Sequence, residues 1–382
     1  MLCDTRGVRV LMVPDAVRGD DVTIGAGDVA RHLAEGWRSS RDGDEVLLHP
    51  SSTGAHGFLD VLRAALGGEV QATVARDPWG ASVPATWLRV GRTAYVETAP
   101  LLGDPHGPDA ARLAQEGSSA GVGDLVLAAA RAGASRVVVG VGESGTHDAG
   151  VGALRALAGG DAGTPPGEAA RGAAQVLRQV EVVVAAATDR PLTGLSGAGA
   201  ALAGRPGVDG ALAQQVELAL SGAVAEVEAA APRPVSLLGP ETTAARRGGR
   251  RPYGGAGGGV AFALASAGAR VLPGAEVAAV ETALAEAIAG VDLVVTACTS
   301  LDGDAIAIGV PGVVGRLALE RLVPVVAVAP TVRIGRRETS GTGIEAVYPL
   351  TDPPAPGRAG VAVDLGTGLS QRAGRVARTW SR

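Results

Sequence analysis

The sequence predicts an α/β protein of two domains, and three observations carry that prediction. Short β-branched runs alternate with amphipathic helical patterns at the start of the chain, and the same alternation returns at its end. Between them the pattern is less regular and is interrupted by Gly- and Pro-rich stretches. Strand–helix–strand order favours a parallel sheet with crossover helices. Both ends are therefore assigned to one discontinuous, Rossmann-like parallel-sheet domain, residues 1–70 and 288–382. An α/β domain carrying a glycine-rich loop is inserted between them, residues 71–287.

The elements follow in order. A strand over Val8–Val13 leads through the loop PDAVRGDD (Pro14–Asp21) to a helix at about Gly27–Trp37. A second strand, Glu45–His49, opens into PSSTGAHG (Pro50–Gly57) and a helix beginning near Phe58. In the middle, Thr86–Val90 and Thr93–Glu97 read as strands, Val122–Ala132 as a helix, and Val137–Val139 and Glu181–Ala185 as strands. Ala158–Gly167 and Ala230–Gly259 read as loops. At the end, the strand Val291–Thr296 precedes the loop ACTSLDGDA, a helix near Val314–Arg321 and the strand Val325–Ala329.

Composition bounds the function. A hydrophobic share of 46% and a mean hydropathy of +0.23 suit a globular chain with buried cores. The net charge of -5 and 2% aromatics argue against a nucleic-acid partner. The nearest basic tract, Arg246, Arg247, Arg250 and Arg251, is interleaved with glycine and reads as a surface loop. Two cysteines, Cys3 and Cys298, make neither a disulfide framework nor a metal knuckle, which favours a reducing compartment. No apolar run reaches the ~20 residues of a membrane span and no leader peptide is evident, so a cytoplasmic location is expected. The chain contains no lysine and no asparagine, so a positive charge on a ligand must come from arginine, a protonated histidine or a metal ion.

The segment RVVVGVGESGTHDAGVGALRAL (Arg136–Leu157) concentrates the candidate chemistry. A strand that empties through glycines into a helix N-terminus aims backbone N–H groups at one point, where an anion is favoured. Glycine is also the default residue for any tight strand-to-helix turn, so spacing alone leaves both readings open. Gly140–Gly145 matches G-x-G-x-x-G, but no acidic residue closes a second strand at dinucleotide-binding distance. No phosphate-binding G-x-x-x-x-G-K-[ST] occurs. Asp148, at the start of the following helix, reads equally as a cap or as a carboxylate for Mg²⁺ or a substrate hydroxyl. His147 reads as a polar loop residue. Asp15 and Arg18, and likewise Asp302 and Asp304, follow strands at the sheet edge where α/β proteins bind ligands.

Six motifs in order then resemble the bacterial glycerate kinase family, the two-domain, ATP-dependent type. VLMVPDAVRGD resembles the family's opening PDSFKGS loop and keeps Pro14, Asp15 and Gly19. GVGDLVLAAARAG (Gly121–Gly133) resembles its GxGELI helix. GVGESGTHDAGVGALRAL resembles GGSATNDGGAGML and keeps Gly142, Ser144, Thr146, Asp148, Gly150, Gly152 and Leu154. TDRPLTGLSGA (Thr188–Ala198) resembles DVxNPLxGxxGA, GAGGGVAFAL (Gly255–Leu264) the GAAGG helix start, and DLVVTACTSLDGD (Asp292–Asp304) DLVITGEGRIDxQ.

The resemblance implies phosphorylation of glycerate or a related small hydroxy acid with ATP and Mg²⁺. It implies Asp148 and Asp302 as the catalytic carboxylates, with Asp148 on the metal. Asp15, Arg18, Gly142, Ser144, Thr146 and Asp189 would bind substrate or phosphate. Partners would be a nucleotide and a hydroxy acid, with homo-oligomeric assembly left open.

Departures concentrate in polar loops. The family's ADGGEGT is SSTGAHG here (Ser51–Gly57), GEGR is Ala297–Ser300, and its loop lysine and two asparagines are Arg18, His147 and Arg190. The lysine that follows GEGR is replaced by Gly309. Coding bias towards arginine explains the lysines but not the lost acids. A second reading follows: a paralogue that keeps the fold and binds a ligand or partner protein without turnover.

Overall fold

The computed structural model describes residues 7–19, 22–230, 248–339, 341–350 and 364–381. Cys3, Arg246 and Arg247, with much of the Ala230–Gly259 loop, lie outside the described residues. The chain is α/β and divides into two compact units. One comprises Met1–Thr53, Asp60–Ala65 and Ala275–Arg382; the other comprises Gly54–Leu59 and Leu66–Gly274.

The discontinuous unit is built on a five-stranded sheet. Its order is Ile344–Pro349, Val325–Ala329, Leu293–Ala297, Arg9–Pro14, Glu45–Leu48, and every neighbouring pair is parallel. Strands covered on both faces read as unbroken apolar runs, and this is why RVLMVP, LVVTA and VVAVA carry almost no polar residues. Side chains alternate between faces along a strand. Val10 and Met12 pack with Val29, Leu33 and Trp37 of the helix Ala26–Arg38 and with Leu369 and Val376 of Leu365–Trp380. Leu11 and Val13 pack on the other face with Val310, Val313 and Val314 of the helix Val310–Leu319.

These helices set the direction of winding. From Arg9–Pro14 the chain crosses one face to Glu45–Leu48, whereas Leu293–Ala297, on the other side of Arg9–Pro14, is followed by a helix on the opposite face. The junction between Arg9–Pro14 and Leu293–Ala297 is a topological switch point, where neighbouring crossovers diverge and leave a crevice. The loop predicted at Pro14–Asp21 contains part of a small antiparallel ribbon, Val17–Arg18 with Thr23–Ile24.

The inserted unit holds a six-stranded sheet in the order Arg270–Pro273, Glu181–Ala186, Arg136–Val141, Thr93–Glu97, Ser82–Val90, Glu69–Arg76. Its first four strands are parallel and the last two add antiparallel. Glu69–Arg76 was not expected, because EVQATVAR alternates only weakly and it forms the sheet edge. The helices Ala120–Arg131, Val151–Ala158, Pro166–Leu177 and Gly210–Ala230 contribute to one core with the strand valines. Two of these, Pro166–Leu177 and Gly210–Ala230, lie where no helix was expected. Among the described residues no helix is long and apolar enough to cross a membrane.

Candidate functional site

In the discontinuous unit, the switch point gathers several of the residues singled out by sequence. Asp15 follows the first strand directly, and its N–H donates to Ala297 O at 2.8 Å, locking the two strand ends together. One carboxylate oxygen, Oδ1, accepts the Ala16 N–H at 2.8 Å. The residue is partly buried, and desolvation raises its pKa to about 7 against the lowering effect of the Ala16 bond.

Asp302 caps the short helix Gly303–Ala307 by accepting Ala305 N–H at 3.1 Å. The Cys298 thiol lies between strand and cap, donating to Ser300 O at 3.3 Å. Burial pushes its pKa up, and the negative charges of Asp15 and Asp302 push it further, so it stays protonated. Ser300 Oγ is buried there without a hydrogen-bond partner among the described residues. Arg18 joins the same edge through its backbone, donating N–H to Thr299 Oγ1 at 3.0 Å, while its guanidinium is exposed. Asp304, beside the cap, is exposed.

The glycine-rich loop of the inserted unit begins where Arg136–Val141 ends. Two further glycines hold it: Gly257 N–H donates to Gly142 O at 2.9 Å and Ala149 N–H to Gly258 O at 3.1 Å. Gly258 needs a positive φ of 60°, and a Cβ there would stand 1.9 Å from Thr146 O. Only glycine permits both the conformation and the approach.

Inside this frame the polar side chains are buried. Ser144 Oγ donates to Thr146 O at 2.7 Å, and Thr146 Oγ1 is buried without a partner among the described residues. Sequence placed both hydroxyls among the phosphate ligands; the structure turns them inward, because the tight loop packs Thr146 against Gly117. His147 is buried as well, with Nδ1 bonded to Gly145 O at 3.0 Å, and burial lowers its pKa to about 4.

Asp148 was open between cap and metal ligand, and the structure favours the cap. Its carboxylate accepts Ser119 N–H, Ser119 Oγ–H, Gly150 N–H and Gly152 N–H at 2.8–3.0 Å. Three of these bonds fall on Oδ2 and one on Oδ1, so the carboxylate is engaged in holding the loop. Burial raises its pKa while the four bonds lower it, with burial the larger effect. Asp189 is exposed and serves through its carbonyl, which accepts Tyr253 N–H at 2.9 Å.

The loop therefore offers backbone donors. Among the described residues, the N–H groups of Gly142, Glu143 and Ser144 have no partner. Beside them Arg205, a residue the sequence did not mark, donates Nη1–H to Ser144 O at 2.9 Å. Glu97 was also missed. It ends its strand with a buried carboxylate that accepts Gly57 and Leu59 N–H, both at 3.0 Å, and thereby caps the helix Phe58–Leu66.

Among the described residues no three His, Cys, Asp or Glu side chains converge as a metal cage. Mg²⁺ does not require one, since it is usually held by one or two carboxylates plus phosphate oxygens. Asp302, which accepts one bond, from Ala305 N–H, among the described residues, retains oxygen capacity for such a role.

Comparison with known proteins adds the family context. The profile of the glycerate kinase family matches residues 10–381. An uncharacterized protein of Mycobacterium bovis is 33% identical over 352 residues, covering 90% of this chain and 84% of that protein. The glycerate 2-kinase of Escherichia coli is 26% identical over 358 residues, covering 89% of this chain and 90% of the enzyme. A crystal structure described as glycerate kinase 2 from Salmonella typhimurium LT2 superposes with a TM-score of 0.69 at 23% identity, covering 97% of this chain and 98% of its own. That likeness shows the fold.

Proposed function

The chain belongs to the glycerate kinase family, and on that premise we propose that it transfers the γ-phosphoryl group of ATP to glycerate or a related small hydroxy acid. The observation that carries the reading is the family match across residues 10–381, both ends of the discontinuous unit included. Membership supports a kinase-like activity; the donor, the acceptor acid and the residues below are the proposal.

Phosphoryl transfer needs positioning, charge neutralisation and an oriented hydroxyl more than it needs covalent help from the protein. In the inserted unit, the N–H groups of Gly142, Glu143 and Ser144 suit phosphate oxygens. In the discontinuous unit, Asp15 has the properties of a proton acceptor, with a pKa near neutrality and one carboxylate oxygen that has no hydrogen-bond partner among the described residues. Arg18, with its guanidinium exposed, suits the carboxylate of the acid. Mg²⁺ would be held by Asp302 and would neutralise phosphate charge when bound. Asp148 acts as a positioning residue, fixing the loop through its four accepted bonds.

A second reading, binding without turnover, draws on the buried, protonated Cys298, on buried Ser52 and on Ala55, which stand where the family's loop motifs carry acids. One assay separates the two. Full-length protein with ATP, Mg²⁺ and glycerate is followed by ³¹P NMR, with EDTA and Asp15→Asn as controls. Phosphoglycerate formation that both controls abolish supports the kinase. Product no greater than in the controls leaves the binding reading.

A further inference from the structure

A chain without lysine must neutralise a phosphate by other means, and one arginine of the inserted unit is held where that charge is needed. We propose that Arg205 is the phosphate-binding cation of the Gly142–Ser144 loop, assisted by Arg190, and that this subsite takes a polyphosphate rather than a carboxylate. The proposal deepens the kinase reading and names a subsite within it.

Arg205 lies between the turn Ala200–Leu202 and the helix Gly210–Ala230 and is half-buried. Its bond to Ser144 O uses one of five guanidinium N–H donors and fixes the group at the loop whose Gly142, Glu143 and Ser144 N–H groups have no partner among the described residues. No carboxylate lies within ion-pair distance of it among the described residues. Glu143, whose negative charge acts on it, pairs with His106 Nε2 at 3.1 Å. Partial burial is the main cause that lowers the Arg205 pKa, the charge of Glu143 opposes this, and repulsion from Arg190 adds to the lowering.

His147 does not contribute positive charge, since burial keeps it neutral down to about pH 4. A guanidinium held at this loop, with backbone N–H groups beside it that have no partner among the described residues, makes an oxyanion site. A phosphate chain presents several anionic oxygens to such a set, whereas a carboxylate presents two. That difference selects the polyphosphate.

Calorimetric titration of the full chain tests this with tripolyphosphate, ADP and glycerate. Arg205→Met should weaken tripolyphosphate and ADP roughly tenfold or more, the loss expected for charge-assisted hydrogen bonds, and leave glycerate unchanged. Arg205→Lys should recover part of the affinity. Glu143→Gln should tighten both phosphates, because it removes the opposing charge.

The proposal is overturned if the wild type takes up no tripolyphosphate, if Arg205→Met binds it as well as the wild type, or if the loss falls on glycerate. Should Arg205→Met fail to fold, Arg205→Lys and Glu143→Gln decide the matter, and equal affinity in both would overturn it. Arg205-dependent tripolyphosphate binding without phosphoglycerate formation would keep this subsite and reject the kinase reading.

Discussion

Asp148 and Ser119, 29 residues apart in the chain, are joined twice: the backbone N–H and the hydroxyl of Ser119 both donate to Asp148 Oδ2 at 2.9 Å. The junction ties the start of the helix Ala120–Arg131 to the glycine loop, and Ser119 Oγ in turn accepts Ala153 N–H at 3.0 Å. Asp148→Ala strands four donors and should destabilise the protein by about 2–4 kcal/mol. Ser119→Ala should cost about 1–2 kcal/mol, and the double variant less than the sum. Urea titration of the three variants measures this; strict additivity would show the pair to be uncoupled.

Asp15 should set the pH profile of turnover. A proton acceptor with a pKa of about 7 makes kcat/KM rise with pH and level off above neutrality. Asp15→Asn should lower kcat by about 10²–10⁴-fold and flatten the rise. A full-sized rise retained in Asp15→Asn would assign the ionisation to another group.

His147 should make stability pH-dependent with a definite sign. Its folded pKa, about 4, lies below the ordinary value of 6.5, so the unfolded chain binds the proton more readily. The stabilisation is present above pH 6.5 and is lost as pH falls towards 4. At 1.36 kcal/mol per unit, up to about 3 kcal/mol is at stake. Chemical denaturation of wild type and His147→Gln at pH 7 and 4.5 should show the smaller decline in the variant.

Gly258 and Gly194 both have positive φ, yet they should respond differently to alanine. A Cβ at Gly258 meets Thr146 O at 1.9 Å, whereas at Gly194 nothing lies within 4 Å. Gly258→Ala combines strain with a clash and should cost about 3 kcal/mol or more; Gly194→Ala carries backbone strain alone, about 1–2 kcal/mol. Thermal unfolding of the two variants compares them directly. Equal losses would remove the packing argument for the glycine floor.

Arg18→Ala should raise the KM for the hydroxy acid roughly tenfold, the value of a charge-assisted hydrogen bond, and leave the melting temperature in place. The side chain is exposed and only the backbone is fixed, by Thr299 Oγ1. A KM change confined to ATP would move Arg18 to the nucleotide.

Strands such as Val325–Ala329 were legible because a buried parallel strand leaves an unbroken β-branched run in the sequence. Asp15 and Asp302 were legible as strand-end carboxylates, since position in an α/β chain follows from order alone. The helix Gly210–Ala230 had a usable signal in Ala213, Val216, Leu220, Val224 and Val227, spaced three and four apart, but alanines around them blurred the stripe. Pro166–Leu177 buries mainly alanine and glycine, which give almost no periodic contrast. Arg205 and Glu97 were invisible, because their roles depend on contacts with residues distant in sequence. The inward turn of Ser144 and Thr146 was hidden for the same reason: it depends on Gly117 and on the floor at Gly257–Gly259.

The helix Leu365–Trp380 covers the helix Ala26–Arg38, and the strand Leu293–Ala297 pairs with Arg9–Pro14 across a separation of 283 residues. On a ribosome working at roughly 5–20 residues per second, the first strand waits ~15–60 s for its central neighbour and longer for its covering helix. The inserted segment, whose strands and helices are close in sequence, completes its core before then. Nascent chains halted before residue 293 should thus expose Val10, Met12, Leu33 and Trp37 to chaperones while the strands Ser82–Val90, Thr93–Glu97, Arg136–Val141 and Glu181–Ala186 already resist protease.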